Sequence, residues 1–276
     1  MQDKKILTIQ DISCVGQCSL TVALPILSCC GHETAILPSA VLSTHTAGFK
    51  GYTFRDLTDD MPLINNHWQQ EKIKFDTIYT GYLGSIKQIE YIEKIVETSL
   101  QANGLFVVDP AMADNGKLYP AFNNQYVEAM KTLCFKADII IPNITEASLL
   151  AEMEYKTEYD EAYIIELLDR LTMLGAKTII LTGVKYDNNS IGVVVYENQK
   201  MSYYKHHLIE QGCHGTGDIY ASCFVGSLLS GKDTYTSAKI AADFTVSCIE
   251  YTKKDPTHWY GVKFEPNLPK LIEMLK

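Results

Sequence analysis

No apolar run in this 276-residue chain reaches the roughly 20 residues that a membrane-spanning helix requires,. Basic charge is also in deficit, with 24 Lys and Arg against 33 Asp and Glu, a formal charge of −9. Without a basic stripe to neutralise phosphates, nucleic acid is not expected as a partner. A small anion stays compatible, because local N–H groups and a bound metal can outweigh net charge. The start of the chain lacks the apolar core of a signal peptide and runs straight into strand-like Ile6-Leu7-Thr8-Ile9,. Paired CxxC spacing is missing: Cys14, Cys18, Cys29-Cys30, Cys134, Cys213, Cys223 and Cys248 suggest neither a metal site nor a disulfide framework,. They read as small core residues in a reducing compartment, and the cytoplasm is the expected location. No linker, repeat or low-complexity stretch divides the sequence, so a single domain over 1–276 is expected,.

What the chain does have is alternation. Strand-like runs at Ile6–Gln10, Thr34–Leu37, Thr77–Thr80, Leu105–Asp109, Asp138–Ile141, Thr178–Thr182, Ile191–Tyr196 and Met201–Lys205 are separated by helical patterns. Ile86, Ile89, Ile92, Val96 and Leu100 recur at helical spacing, as do Ile164, Leu167, Leu168, Leu171 and Leu174,. Gly104, Gly175 and Gly231 stand where helix C-termini favour a left-handed residue,. Such alternation predicts an α/β three-layer sandwich, a mainly parallel sheet with helices on both faces. The last two strands, joined by Glu197-Asn198-Gln199-Lys200, predict a hairpin at one edge,.

Ligands of open α/β sheets sit beyond the carboxyl ends of the strands. Polar residues gather there: Asp11 after the first strand, Gly81-Tyr82 after the third, then Asp109-Pro110, Asn143 and Thr182-Gly183. The run Gly212-Cys213-His214-Gly215-Thr216-Gly217-Asp218 precedes an apolar helical stretch. A glycine-rich turn entering a helix collects unpaired N–H groups and the positive end of the dipole, which suits a phosphate. Asp218, in the first turn, is placed to take a proton from an alcohol attacking that phosphate. The same residues would also serve as an ordinary helix entry with a first-turn acid.

Taken together, Ile9-Gln10-Asp11, Ser39–Thr46, Gly81–Ser85, Val108–Met112, Ala137–Glu146 and Gly215–Asp218 resemble the pyridoxal/pyridoxamine kinases of the ribokinase-like superfamily over nearly the whole length. The resemblance implies ATP-dependent phosphorylation of the 5′-hydroxymethyl group of a B6 vitamer. It makes Asp218 the general base and Gly215, Thr216 and Gly217 the anion hole. Asp109 and Glu146 correspond to metal-side carboxylates for Mg²⁺, which binds through one or two carboxylates plus phosphate,. Asn143 and Thr182 correspond to contacts with ATP, and Asp114 and Tyr119 to a flap over it, Met112–Tyr119,. His45, Thr46 and Tyr82 correspond to the vitamer pocket. A homodimer and a monovalent cation such as K⁺ are further implications. In purely structural terms Asp109 would be a strand-end cap, Glu146 a first-turn acid and Tyr82 a core aromatic.

Three positions depart from that pattern. Asp11 stands where pyridoxal kinases usually carry a serine, and a carboxylate there would favour a protonated amine, hence pyridoxamine. Cys213-His214 precede the anion hole, and His206-His207-Leu208-Ile209 replace an apolar anchor after the hairpin. Gly226–Asp233 nearly spells GxxxxGK[ST], but it ends in Asp and closes a helix instead of following a strand, so no P-loop is expected,. The sequons at Asn143 and Asn188 carry no weight in a cytoplasmic protein,. The alternatives are a hydroxymethylpyrimidine kinase on the same fold and a vitamer-binding protein without catalysis.

Overall fold

The apolar runs pair into one nine-stranded sheet. In chain order its strands are β1 (Lys5–Ser13), β2 (Glu33–Leu42), β3 (Phe54–Asp56), β4 (Phe75–Thr80), β5 (Leu100–Val108), β8 (Ile139–Ile140), β9 (Thr178–Val184), β10 (Ser190–Glu197) and β11 (Lys200–His207). A separate two-stranded hairpin pairs β6 (Ala113–Asp114) with β7 (Lys117–Leu118). The sheet order is β11-β10-β9-β8-β5-β4-β1-β2-β3. This computed structural model describes residues 4–187, 189–209 and 213–276. Gly212, which opens the glycine-rich run, and Asn188 of the second sequon lie outside the described residues.

Six strands, β2-β1-β4-β5-β8-β9, run parallel, and the hairpin β10–β11 closes one edge antiparallel, as expected. The other edge is antiparallel as well, through the short exposed β3. β1 is nearly all buried because both of its faces are covered,. Leu7 and Ile9 pack with α2 (Asp60–Gln70), α3 (Ile86–Ser99), α4 (Asn124–Lys136), α5 (Ile144–Leu150) and α6 (Glu161–Met173). Ile6 turns to the opposite core, under α1 (Leu20–Cys29), α7 (Thr216–Leu229), α8 (Thr234–Thr252) and α9 (Leu268–Leu275). Three layers result. Among the described residues no helix is long and apolar enough to cross a membrane.

Local corrections have clear causes. Leu100 is not the last helical residue but the first of β5, where it pairs with Phe75. Gly104 therefore caps no helix. It lies within β5, where a Cβ would come 2.5 Å from the Leu100 side chain and 3.0 Å from the Asp76 carbonyl. Gly175 and Gly231 do follow α6 and α7 with positive φ. Asp11 lies inside β1, not beyond it, because β1 continues to pair with β2 as far as Ser13. Gly226–Asp233 closes α7, and Asp233 caps α8 by accepting from Thr236 N–H, so the near P-loop is indeed two helix ends.

Candidate active site

Gly215 forms the turn into α7 with φ 82° and ψ 4°, a conformation that only glycine adopts without strain,. The loop Gly16–Ser19 presses against it so closely that a Cβ would stand 1.9 Å from the Gln17 carbonyl oxygen. The first helical hydrogen bond runs from Ile219 N–H to Gly215 C=O, which leaves the N–H groups of Thr216, Gly217 and Asp218 without helical partners,. A side chain at 217 would meet nothing within 4 Å, so the space before the turn is open. Burial pushes the Asp218 carboxyl up to about 7; the Ser19 backbone N–H opposes that rise and the Asp11 charge adds to it.

Asp109 follows β5 directly, its N–H donating to Thr80 C=O at 2.9 Å. One carboxylate oxygen accepts from Ala111 N–H at 3.1 Å. Burial, then the charges of Glu146 and Asp218, hold its pKa well above the usual carboxylate range. Glu146 is raised by burial too, although backbone N–H groups of Asn143, Met112 and Ala113 oppose the rise. Those bonds define its local role. With Asn143 it forms a capping box at α5 (Asn143 Oδ1 from Glu146 N–H at 3.0 Å, Glu146 Oε2 from Asn143 N–H at 2.9 Å), while Oε1 accepts from Met112 N–H at 3.0 Å,. The Asn-x-x-Glu spacing is the sequence signal for that box.

The flap Met112–Tyr119 is the β6–β7 hairpin, tied down by Asn143 Nδ2 donating to Ala113 C=O at 2.8 Å and Gly116 N–H donating to Thr145 Oγ1 at 3.0 Å. Asp114 at its tip binds Asn115 through both oxygens. Burial and then the charges of four carboxylates, Glu146 first, raise the Tyr119 phenol. Thr182 bridges to Asn143 as a parallel partner and donates to Pro142 C=O. Among the described residues no three His, Cys, Asp or Glu side chains converge as a ready metal cage. Buried like charges at Asp109, Glu146 and Asp218 fit a site in which one carboxylate and phosphate oxygens share a Mg²⁺, and Asp109 has the oxygen to spare,.

Tyr82 follows β4, and burial followed by the Asp11 charge lifts its phenol to about 12. His45 has both ring nitrogens committed: Nε2 donates to Tyr260 C=O at 2.8 Å and Nδ1 accepts from Ala47 N–H at 3.1 Å. What it offers a ligand is a ring face, 5.6 Å from the ring of His214. Thr46 beside it is exposed. Asp11 is engaged on both oxygens, accepting from Ser19 Oγ at 2.5 Å and Ser13 Oγ at 2.9 Å. Residues that sequence reasoning missed complete this wall. Phe49 packs on Trp259 at 4.7 Å between ring centroids, Tyr260 holds His45, and His258 Nε2 donates to Gln17 Oε1 at 3.1 Å. No local pattern marks them, because their partners lie more than 200 residues away.

A model of the phosphomethylpyrimidine kinase family matches residues 64–262. Pyridoxal kinase of Dictyostelium discoideum is 27% identical over 244 residues, 81% of this chain and 78% of that protein. A Bacteroides thetaiotaomicron protein assigned as a phosphomethylpyrimidine kinase superposes with TM-score 0.94 at 35% identity, covering 98% of this chain and 94% of that one. Its orthorhombic crystal form with pyridoxal superposes with TM-score 0.91 at 34% identity, covering 99% and 96%. Pyridoxal kinase from Lactobacillus plantarum gives TM-score 0.91 at 30% identity, covering 98% and 97%. This chain belongs to the phosphomethylpyrimidine kinase family, within the ribokinase-like superfamily that includes the pyridoxal kinases, and it is a kinase.

Proposed function

We propose that this kinase transfers the γ-phosphoryl group of ATP to the 5′-hydroxymethyl group of a B6 vitamer, acting as one domain over 1–276. The observation carrying this reading is Asp218, raised to about 7 in the first turn of α7, where the N–H groups of Thr216 and Gly217 beside it have no helical partners. A base is most useful when its pKa lies near the working pH. As the vitamer oxygen attacks the γ-phosphorus, its proton passes to Asp218 and the bond to the β-phosphate oxygen breaks. The N–H groups of Gly215, Thr216 and Gly217 take up charge on the migrating phosphoryl oxygens. Asp109 and Glu146 would hold Mg²⁺ through water beside the ATP phosphates, where the ion would neutralise phosphate charge. Asn143 and Thr182 line the nucleotide side, under a flap carrying Asp114 and Tyr119. Tyr82, His45 and Thr46 line the vitamer side. A monovalent cation such as K⁺ near the nucleotide, a homodimer and a cytoplasmic location complete the proposal; the exposed edge strand β3, with Phe54 51% exposed, supports the dimer,.

The matched family model and the Bacteroides relative favour a second reading, hydroxymethylpyrimidine as acceptor. Steady-state kcat/KM with Mg·ATP and pyridoxal, pyridoxine, pyridoxamine or hydroxymethylpyrimidine, side by side, decides between them. A lead for a B6 vitamer, lost by orders of magnitude in Asp218→Ala, is the expected result. A lead for the pyrimidine selects the second reading, and no turnover on any of them overturns both.

A further inference from the structure

Ser19 has a backbone that its side chain should resist. Its φ of 55° and ψ of −131° lie outside the regions open to residues with a Cβ,. It occupies the N-cap of α1, where a serine hydroxyl ordinarily accepts from an N–H of its own helix. Here the hydroxyl caps nothing and donates instead to Asp11 Oδ1 at 2.5 Å, inside a pocket where Ser19 and Asp11 are each 5% exposed. Ser13 Oγ fixes the other Asp11 oxygen at 2.9 Å, so the anchor cannot swing. On its far side Ser19 starts α1, its carbonyl accepting from Val22 and Ala23 N–H at 3.0 and 2.9 Å. Its backbone also bridges to Ile12 of β1 as an antiparallel partner. The loop leading into Ser19 is the one that packs against Gly215, with the Gln17 carbonyl filling the space a Cβ would need.

A buried carboxylate, a strained serine and the turn that opens α7 are thus connected in series, and both oxygens of Asp11 accept hydrogen bonds within the chain. We infer that Ser19 is a positioning residue for the turn that opens α7 and carries Asp218, its hydroxyl latched on Asp11 so that the strained backbone holds the loop 16–19 against Gly215, and that Asp11 serves this latch instead of reading the vitamer. The inference rests on the proposed function for its kinetic consequences. It replaces the expectation, drawn from the residue type alone, that the Asp11 carboxylate selects pyridoxamine.

Glycine and alanine at position 19 separate the latch from a general structural role. Both lack the hydroxyl, but alanine keeps a Cβ that opposes positive φ, whereas glycine adopts the strained geometry freely. In the full chain with Mg·ATP, Ser19→Ala is expected to lower kcat by about tenfold or more, as for a misplaced catalytic group, with vitamer KM within about threefold. Ser19→Gly is expected to recover most of that loss. Asp11→Ser is expected to lower kcat like Ser19→Ala, with the ranking of pyridoxal, pyridoxine and pyridoxamine unchanged. Hydrogen exchange over residues 14–22 should speed up in Ser19→Ala and return toward the unmodified rate in Ser19→Gly. Unchanged kcat and exchange in Ser19→Ala would overturn the latch. So would equal losses in both Ser19 variants, or a reordered vitamer preference in Asp11→Ser. Exchange does not depend on turnover, so an inert unmodified chain would defeat the kinase reading while the latch is still decided by the exchange rates.

Discussion

Replacing the proposed base with its neutral isostere should stop the chemistry and strengthen the fold. Lifting a carboxyl from 3.8 to about 7 means that the ionised form is disfavoured in the folded state. At 1.36 kcal/mol per pKa unit that is about 4 kcal/mol. Asp218 is partly open to solvent, so water screens the penalty, and about 2 kcal/mol is the working expectation,. The sign follows from linkage. A raised acid binds its proton more tightly when folded, so stability is undiminished below about 4, declines as pH rises toward about 7, and stays reduced above it,. Asp218→Asn never ionises and escapes the loss. Its melting temperature at pH 8, without nucleotide or metal, should exceed that of the unmodified protein by about 4–8 °C, taking 2–4 °C per kcal/mol for a chain of this size. At pH 4 the two curves should coincide, because a protonated Asp and an Asn are nearly equivalent. Equal melting at pH 8, or a gap that does not change with pH, would refute the assignment of Asp218 as an acid whose ionised form the fold disfavours.

Other consequences are open to direct test. Gly215→Ala places a methyl group 1.9 Å from the Gln17 carbonyl at φ 82°, and should cost about 2 kcal/mol or more in denaturant titration and remove turnover,. Glu146→Ala breaks the capping box and frees the Met112 N–H. Hydrogen exchange over 112–118 should accelerate, with a stability loss of about 1–3 kcal/mol,. The pH profile of kcat/KM should rise with pH through an apparent pKa near 7, as the free enzyme's Asp218 loses its proton, and Asp218→Ala should abolish the limb along with the rate,. Trp259→Ala strips the ring from Phe49 and should raise KM for the vitamer several-fold while leaving KM for ATP in place, as judged by varying each substrate in turn,.

The legible parts of the fold were those encoded locally. Continuous apolar runs gave away strands buried on both faces, and Asp109, Asn143 and Asp218 stood out because each follows a strand or opens a helix,. α1 was hidden because Pro25 interrupts its pattern, yet five buried apolar residues hold it against the sheet,. At Asp11 the residue was legible but not its surroundings, since a sequence does not reveal that Ser13 and Ser19 will each donate to one carboxylate oxygen. At Glu146 the position was legible but not the backbone bonds that tie it to the flap. Trp259, Tyr260 and His258 gave no signal at all, because their significance exists only once the two distant ends of the chain meet.

That meeting has a consequence for synthesis. His45 is held by the carbonyl of Tyr260, and Gln17 is bound by His258, 241 positions further along. During translation the first strands and α7 emerge before this closing segment, so the nascent chain carries Asp218 without the residues that hold His45 and Gln17. The packing around His45 is completed only after residue 260 has left the ribosome, and under the proposed function competence for the reaction is then one of the last properties the growing chain acquires.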